Sequence, residues 1–372
     1  MSRVSYNRID MSGNGEQRLN QSGMVSFMVT LIMMAVITLI VVGFSQVTHR
    51  NQREALDRQL STQAFYAAES GVNVTKAAIS SYLSNSPTAQ LATKQTCKNN
   101  YQPDSTKPEA PLKDISSEAN VRYTCVLVDP NPSTLIYDDL TQGNSIVVPI
   151  TTSAAIDTLS FNWTTQSGLT GSCSSQARSY LPPDAASWNC PFALLRVDLM
   201  QVPDPNVTIN NVAQLSSNTA TMFLTPYGDN SGTLYNNATG ASNASLSFGG
   251  AATAYYGAAS GCSTSPAANC VVNARLANPL ATYYARITPL YHNVSELVIS
   301  AKSGVSSVKF NGTQAVVDVT GQAQDELRRI QVRVGLQGSV DVPADAVASS
   351  NSICKNFTIL PSDNISDTTV CQ

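Results

Sequence analysis

From residue 24 to residue 44 the chain reads MVSFMVTLIMMAVITLIVVGF, without one charged side chain. A helix of that length spans about 30 Å, the thickness of a bilayer's hydrocarbon core. The residues beyond the run constrain the fold further. No proline occurs after Phe44 until Pro87, and the first glycine is Gly71. Arg50 and Glu54, Arg53 and Asp57, and Glu54 and Arg58 place opposite charges one helical turn apart, a modest support for a solvated helix. Leu56, Leu60, Ala64, Ala67, Gly71, Val74 and Ala78 then recur at helical period. One helix is therefore expected over residues 24–83, roughly 90 Å long. Its first half suits lipid; its second half is amphipathic and needs a partner surface. The small residues Ala64, Ala67, Ala68 and Gly71 would let that surface come close. Ser84-Asn85-Ser86-Pro87 should end the helix, since proline disfavours helix in the residue before it.

A cleaved secretory signal has a shorter apolar core, of about 7–15 residues, followed by small residues of A-x-A type. Here Ser45-Gln46-Val47-Thr48-His49-Arg50 offers no such site, so the segment should stay attached. Arg3, Arg8 and Arg18 precede the run, and Arg50, Arg53 and Arg58 follow it, so the positive-inside rule is nearly tied. The cysteines break the tie. All 8 lie beyond the run: Cys97, Cys125, Cys173, Cys190, Cys262, Cys270, Cys354 and Cys371. They form no zinc-type spacing, and the chain has only 2 histidines, His49 and His292, far apart. Disulfides in an oxidising compartment are the better reading, which places the N-terminus inside and the C-terminal part outside. Pairing sequence neighbours is the simplest of about 105 connectivities: Cys97–Cys125, Cys173–Cys190, Cys262–Cys270 and Cys354–Cys371.

From about Cys97 the pattern turns to short strands, expected over 121–128, 145–150, 156–164, 195–200 and 220–224. Residues 295–301 and 305–310 flank Lys302-Ser303-Gly304 as a hairpin. Residues 315–319 follow the turn dipeptide Asn311-Gly312. Ile330, Val332, Val334 and Leu336 alternate with Gln331, Arg333 and Gly335, the mark of an antiparallel sheet with one covered face. The expected fold class is α+β: a long transmembrane and amphipathic helix whose stripe covers an antiparallel β-sheet, stapled by disulfides. Residues 340–351 read as a linker, with Cys354 and Cys371 closing a terminal loop.

Catalytic patterns are missing: the sequence has no G-x-S-x-G, H-E-x-x-H, Walker loop or G-x-G-x-x-G. His292 reads as a strand-end residue and Asp138-Asp139 as a solvated turn. Gly228-Asp229-Asn230-Ser231-Gly232 lacks the acids of a calcium loop. No cofactor or metal is expected. A net charge of −3 without a basic block argues against nucleic acid as a partner. The N-x-S/T sequences, as at Asn162, Asn206 and Asn311, carry no function in a chain this rich in Asn, Ser and Thr.

Gln21-Ser22-Gly23 with an apolar run directly after the glycine resembles a type IV prepilin leader and its processing site. Gln63-Ala64-Phe65-Tyr66-Ala67-Ala68-Glu69-Ser70-Gly71 brings the likeness closest to the PilX-like minor pilins and the K-type pseudopilins. The resemblance covers residues 18–75. It implies cutting after Gly23 by a membrane-embedded prepilin peptidase and N-methylation of Met24. It also implies a single-pass membrane protein whose partners are other pilin subunits, membrane lipid, and the assembly platform and motor. Major pilins carry a glutamate at the fifth position after the cut, pairing with a neighbour's amine; this chain has Met28. A C-terminal disulfide loop is common in pilins, which extends the likeness weakly to Cys354 and Cys371.

The segments expected are a cytoplasmic leader (1–23), a membrane helix (24–44), its amphipathic continuation (45–84), a β-rich extracellular domain (85–339), and a linker with a terminal loop (340–372). The functional expectation is a non-enzymatic structural protein: a minor subunit, at the tip or initiating, of a pilus or a related secretion or DNA-uptake pseudopilus. The rival from another class is a permanently anchored domain serving cell adhesion or ligand binding. An anchored hydrolase using His292 is a distant third.

Overall fold

In the computed structural model the described residues are 21–86, 89–112, 114–116, 120–165, 173, 185–202, 218–227, 234–236, 244–248, 255–263, 269–336, 358–359 and 365–366. A single α-helix, α1, runs unbroken over Gln21–Asn85. Its 65 residues give a rod roughly 100 Å long. It ends at Asn85, within the expected breaker stretch Ser84-Asn85-Ser86-Pro87.

The strands in chain order are β1 (Asp114–Ser116), β2 (Val121–Asp129), β3 (Thr134–Leu140), β4 (Ile146–Thr165), β5 (Leu194–Gln201), β6 (Thr219–Tyr227), β7 (Leu234–Asn236), β8 (Tyr255–Ser263), β9 (Asn269–Leu290), β10 (Val294–Ser303), β11 (Ser306–Val308), β12 (Gln314–Ala323) and β13 (Glu326–Gly335). A small pair, β14 (Thr358–Ile359) and β15 (Ile365–Ser366), lies near the C-terminus. They build two main sheets.

The smaller sheet has four strands in the order β1-β2-β12-β13. All of its neighbours are antiparallel, and α1 lies against it. Its helix-facing residues alternate along β12: Val317, Val319, Gly321 and Ala323 point inward, as strand period demands. Val128, Val126, Tyr123 and Val121 of β2 stand beside them in register. Val332 and Ile330 of β13 complete the face. The buried helix residues Ala68, Val72 and Ile79 share one core with Tyr123, Val126, Val128, Val317 and Val319.

The second sheet has nine strands and its own, larger core around Phe161, Trp163, Tyr256, Tyr283 and Phe310, all fully buried. Strands β9, β5, β6 and β8 close a ring of pairings, because β8 pairs with both β6 and β9. The ring gives β5, β6 and β8 partners on both sides, while β9 pairs on its second side near its two ends, with β8 and with β5. Trp163 Nε1 donates to the Ala193 carbonyl at 2.9 Å, so the largest buried side chain leaves no polar group unmet.

The two sheets join through side chains as well as chain. Gln314 replaces a ladder residue: its Oε1 accepts from Ile136 N at 3.1 Å and its Nε2 donates to Ile136 O at 2.8 Å. Arg333 donates to the Thr134 carbonyl at 2.6 Å and to Thr134 Oγ1 at 3.2 Å. Thr313 Oγ1 reaches the Pro149 carbonyl at 2.8 Å.

Several expectations need correction. The strands are not uniformly short: β4 and β9 run for 20 and 22 residues. The segments 145–150 and 156–164 are one strand, interrupted by register shifts between Thr151 and Thr158. The hairpin of β10 and β11 belongs to the nine-stranded sheet, so α1 covers only β2, β12 and β13 of the strands foreseen. Asp138 and Asp139 are not a turn; both lie in β3, where Asp138 pairs with Glu296 and Asp139 takes a positive φ of 54°. The linker at 340–351, residues 228–232, Asn206, Cys354 and Cys371 lie outside the described residues.

Candidate functional site

Along α1 three stretches follow one another, each with a different environment. The apolar run is exposed over its whole length, from Val25 to Phe44, with Met28 at 63 %. Among the described residues this is one helix long and apolar enough to cross a membrane. Its hydroxyls are already satisfied: Thr30 Oγ1 donates to the Phe27 carbonyl and Thr38 Oγ1 to the Met34 carbonyl, both at 2.9 Å. Back-bonding of this kind lets threonine enter hydrocarbon without an unmet polar group.

Above the run comes a polar collar in which residues 45–59 are all exposed, so none of the described β-rich residues covers it. Glu54 and Arg58 pair at 2.6 Å across one turn. Being fully solvated, the pair contributes little. Leu56 belongs here: it is 52 % exposed, one turn below the lowest contact with the sheet, and is not part of the buried stripe.

The stripe proper is Leu60, Ala64, Ala67, Ala68, Gly71, Val72, Thr75 and Ile79. Val74, expected in it, is 47 % exposed. The buried row steps from Gly71 and Val72 to Thr75 and Ile79, because 3.6 residues per turn drifts about 20° per heptad. Thr75 is buried safely because its hydroxyl donates to the Gly71 carbonyl at 2.8 Å.

The contact is closest at Gly321 of β12. A Cβ there would stand 2.1 Å from the Ala64 carbonyl oxygen and 2.4 Å from Ala68 N. Backbone therefore meets backbone, which only glycine on one side and alanines on the other permit. Gly71 has the complementary place: a Cβ would lie 2.7 Å from Val319 Cγ1 and 3.0 Å from the Tyr123 ring. Lower down, Arg328 Nε donates to Ser61 Oγ at 2.8 Å and ties β13 to the helix edge.

The segment from Gln63 to Gly71 thus divides between two faces. Ala64, Ala67, Ala68 and Gly71 seat the sheet. Phe65, Tyr66 and Glu69 face away from it, with Phe65 at 48 % and Tyr66 at 61 % exposure. Their rings meet edge-on at 6.0 Å. Tyr66, Glu69, Ser70, Asn73, Val74 and Ala77 line a shallow trough along that outer face.

An apolar rod of this length that enters a sheet through small residues is the geometry on which the comparisons bear. The model of the PilX N-terminal family matches residues 22–73. The chain is PilX-like and related to the type IV pilins. No curated protein and no solved structure matches it. The PilX-like segment takes in the apolar run, the collar and the divided stretch from Gln63 to Gly71, and ends two residues past that stretch. The β-rich part lies beyond it. In this PilX-like chain α1 begins at Gln21, so the Gly23–Met24 bond lies within its first turn.

Among the described residues three disulfides brace the β-rich part: Cys97–Cys125, Cys173–Cys190 and Cys262–Cys270. The first fastens the connection after α1 to β2, on the sheet face opposite the helix. The third joins residues that are register partners on β8 and β9. Close by the first, Lys94 is buried to 2 % side-chain exposure and meets Glu109 at 2.6 Å. Tyr101 lies in the same connection; burial pushes its phenol well above the ordinary range, and its hydroxyl donates to the Ala92 carbonyl at 2.8 Å.

Among the described residues, those that chemistry would need are not brought together. His292 Nε2 is 3.0 Å from the Cys190 carbonyl, at the end of the nine-stranded sheet. Among the described residues no three His, Cys, Asp or Glu side chains gather as a metal site. Gly321 is the functional residue that the sequence reading missed. A lone glycine inside an alternating strand is the signal for a close backbone approach.

Proposed function

We propose that this PilX-like chain is a minor pilin, a building block and not an enzyme, placed at the tip of a type IV pilus or related pseudopilus or starting its assembly. The observation that carries the reading is the unbroken α1, lipid-soluble in its first half and seated in a sheet in its second. Such a rod couples a membrane-stored subunit rigidly to an outer domain, so force applied at the membrane end moves the whole head. A tethered surface protein has no need of that continuity.

In this reading residues 1–23 are a cytoplasmic leader that a prepilin peptidase removes after Gly23, with methylation of Met24. The outer domain lies on the far side of the membrane. The assembly platform and motor then lift the subunit from lipid, exchanging lipid contacts for packing against other pilin helices. The trough and the aromatic pair on the outward face of α1 are surfaces free for such packing. Met28 supports the tip position. A carboxylate there would pair with a neighbour's charged amine, since an unpaired charge in hydrocarbon is costly. A chain with methionine there does not make that pairing, and a first subunit has no neighbour ahead of it that requires it.

N-terminal sequencing combined with the mass of the mature protein tests the assignment. The expected chain starts at a methylated Met24. A mature chain that keeps residues 1–23 sinks the filament reading and leaves a permanent membrane anchor carrying an adhesive domain.

A further inference from the structure

The face of the four-stranded sheet turned away from α1 carries an ordered array of polar side chains. Asp129, Val316 and Arg333 stand in register across β2, β12 and β13. Leu127, Asp318 and Gln331 form the next row on the same face. All six floor one cleft of about 360 Å³. Pro132, Ser133 and Thr134, on the way to the second sheet, wall one side of it, and Thr93, Lys94 and Gln95 also line it.

The charged groups are fixed from within the protein. Asp318 is buried and is gripped by Arg329, whose Nε lies 2.7 and 2.9 Å from the two carboxylate oxygens. Arg333 is held by its two bonds to Thr134. Asp129 Oδ1 accepts from Asn131 N at 3.0 Å. Side chains held this way need little further ordering when a ligand arrives. Their charges also cancel: Asp129 faces Arg333 across Val316, Arg329 offsets Asp318 from outside the lining, and Lys94 of the lining is offset by Glu109 at 2.6 Å. Asp138 and Glu296 act on Arg333 from beyond the wall but line no part of the cleft.

A cleft of alternating acid, aliphatic and donor groups with no net charge suits a molecule with hydroxyls at its rim and C–H faces. Neighbouring strands lie ~4.8 Å apart, so Asp129 and Arg333 flank Val316 at a span of roughly 10 Å. A sugar ring lying over Val316 presents hydroxyls to both at once. Carboxylates accept from hydroxyls, whereas guanidinium and amide groups donate to hydroxyl and ring oxygens. The volume lies near the lower end of the ~300–1,000 Å³ common for small-ligand sites. We propose that this cleft binds a neutral saccharide one or two units long. The inference stands apart from filament assembly, since the site lies wholly in the outer domain.

The test uses the full chain in detergent micelles against an array of neutral and charged mono- and disaccharides, followed by titration of each binder. Saturable binding of at least one neutral sugar at about 1 mM or tighter is expected. Asp129→Ala and Gln331→Ala should each weaken it by about tenfold or more, while the distant Asp157→Asn should leave it unchanged. Gln331 is exposed on β13, so its variant decides the matter should Asp129→Ala fail to fold. Binding of charged sugars alone, binding that ignores both variants, or no saturation by any neutral sugar at about 10 mM overturns the proposal.

Discussion

Gly321 has room for a hydrogen and no more. The atoms that a Cβ would meet belong to helix backbone, which cannot rotate away as a side chain can. Gly321→Ala must therefore push α1 off β12 and open the contacts on either side. Overpacking of a well-filled core costs about 1–3 kcal/mol, and this case belongs at or above the upper end. Gly71→Ala is milder, because the atoms in its way are the Val319 and Tyr123 side chains. Alanine also gains about 1 kcal/mol over glycine within a helix. Thermal unfolding of the outer domain should thus fall clearly for Gly321→Ala and much less for Gly71→Ala. Equal losses would mean that the seat is not backbone against backbone. Met28 poses a different residue-scale question, about position in the filament. Met28→Glu supplies the carboxylate that would pair with a neighbour, so labelled variant subunits should move from filament ends into the shaft. Unchanged labelling in electron micrographs counts against the tip assignment.

The helix is the element most open to reading from sequence, and its two halves should fail separately. Leu60 is buried with Ala64 and Ala323 at the foot of the sheet, and burying such a side chain contributes ~1.5–3 kcal/mol. Leu60→Asp places a charge there without a partner, at a further cost. The outer domain should loosen and become protease-sensitive, while the apolar run still inserts and fractionates with membranes. Loss of insertion together with folding would show that the two halves are not independent. The rod is legible because uncharged length, missing helix breakers and a small-residue stripe are all local signals. Its exact buried face is less so: Leu56 and Val74 have the right period, but the position of the sheet, a distant part of the chain, decides what is covered. The strands behave likewise. Strand β13 announces itself by Ile330, Val332 and Val334, since one of its faces is covered. Strand β9 escapes a sequence reading because Asn278 and Pro279 interrupt the alternation where its register with β4 shifts. The pairings of Cys97, Cys173 and Cys262 follow sequence proximity, whereas Gly321 requires knowing what lies opposite it.

At the scale of the whole molecule, the question is how a pull on α1 reaches the nine-stranded sheet. The helix touches the four-stranded sheet, and two short connections, 130–133 and 309–313, join that sheet to the other. Covalent connections alone would act as hinges. Gln314 removes that freedom by giving Ile136 both of its backbone bonds, and Arg333 adds two more at Thr134. Gln314 is buried, so its loss strands an N–H and a carbonyl, each costing about 1–3 kcal/mol. Gln314→Leu keeps the volume and removes both bonds. The expected outcome is a chain whose two cores stay folded but whose connections 130–133 and 309–313 become cleavable under limited proteolysis. Arg333→Ala in the same background should deepen the effect, because Thr134 then loses its donors as well. If the double variant resists cleavage as the parent does, the sheets are held together by apolar packing at the joint. The polar clamp would then be incidental to transmitting force from membrane to head.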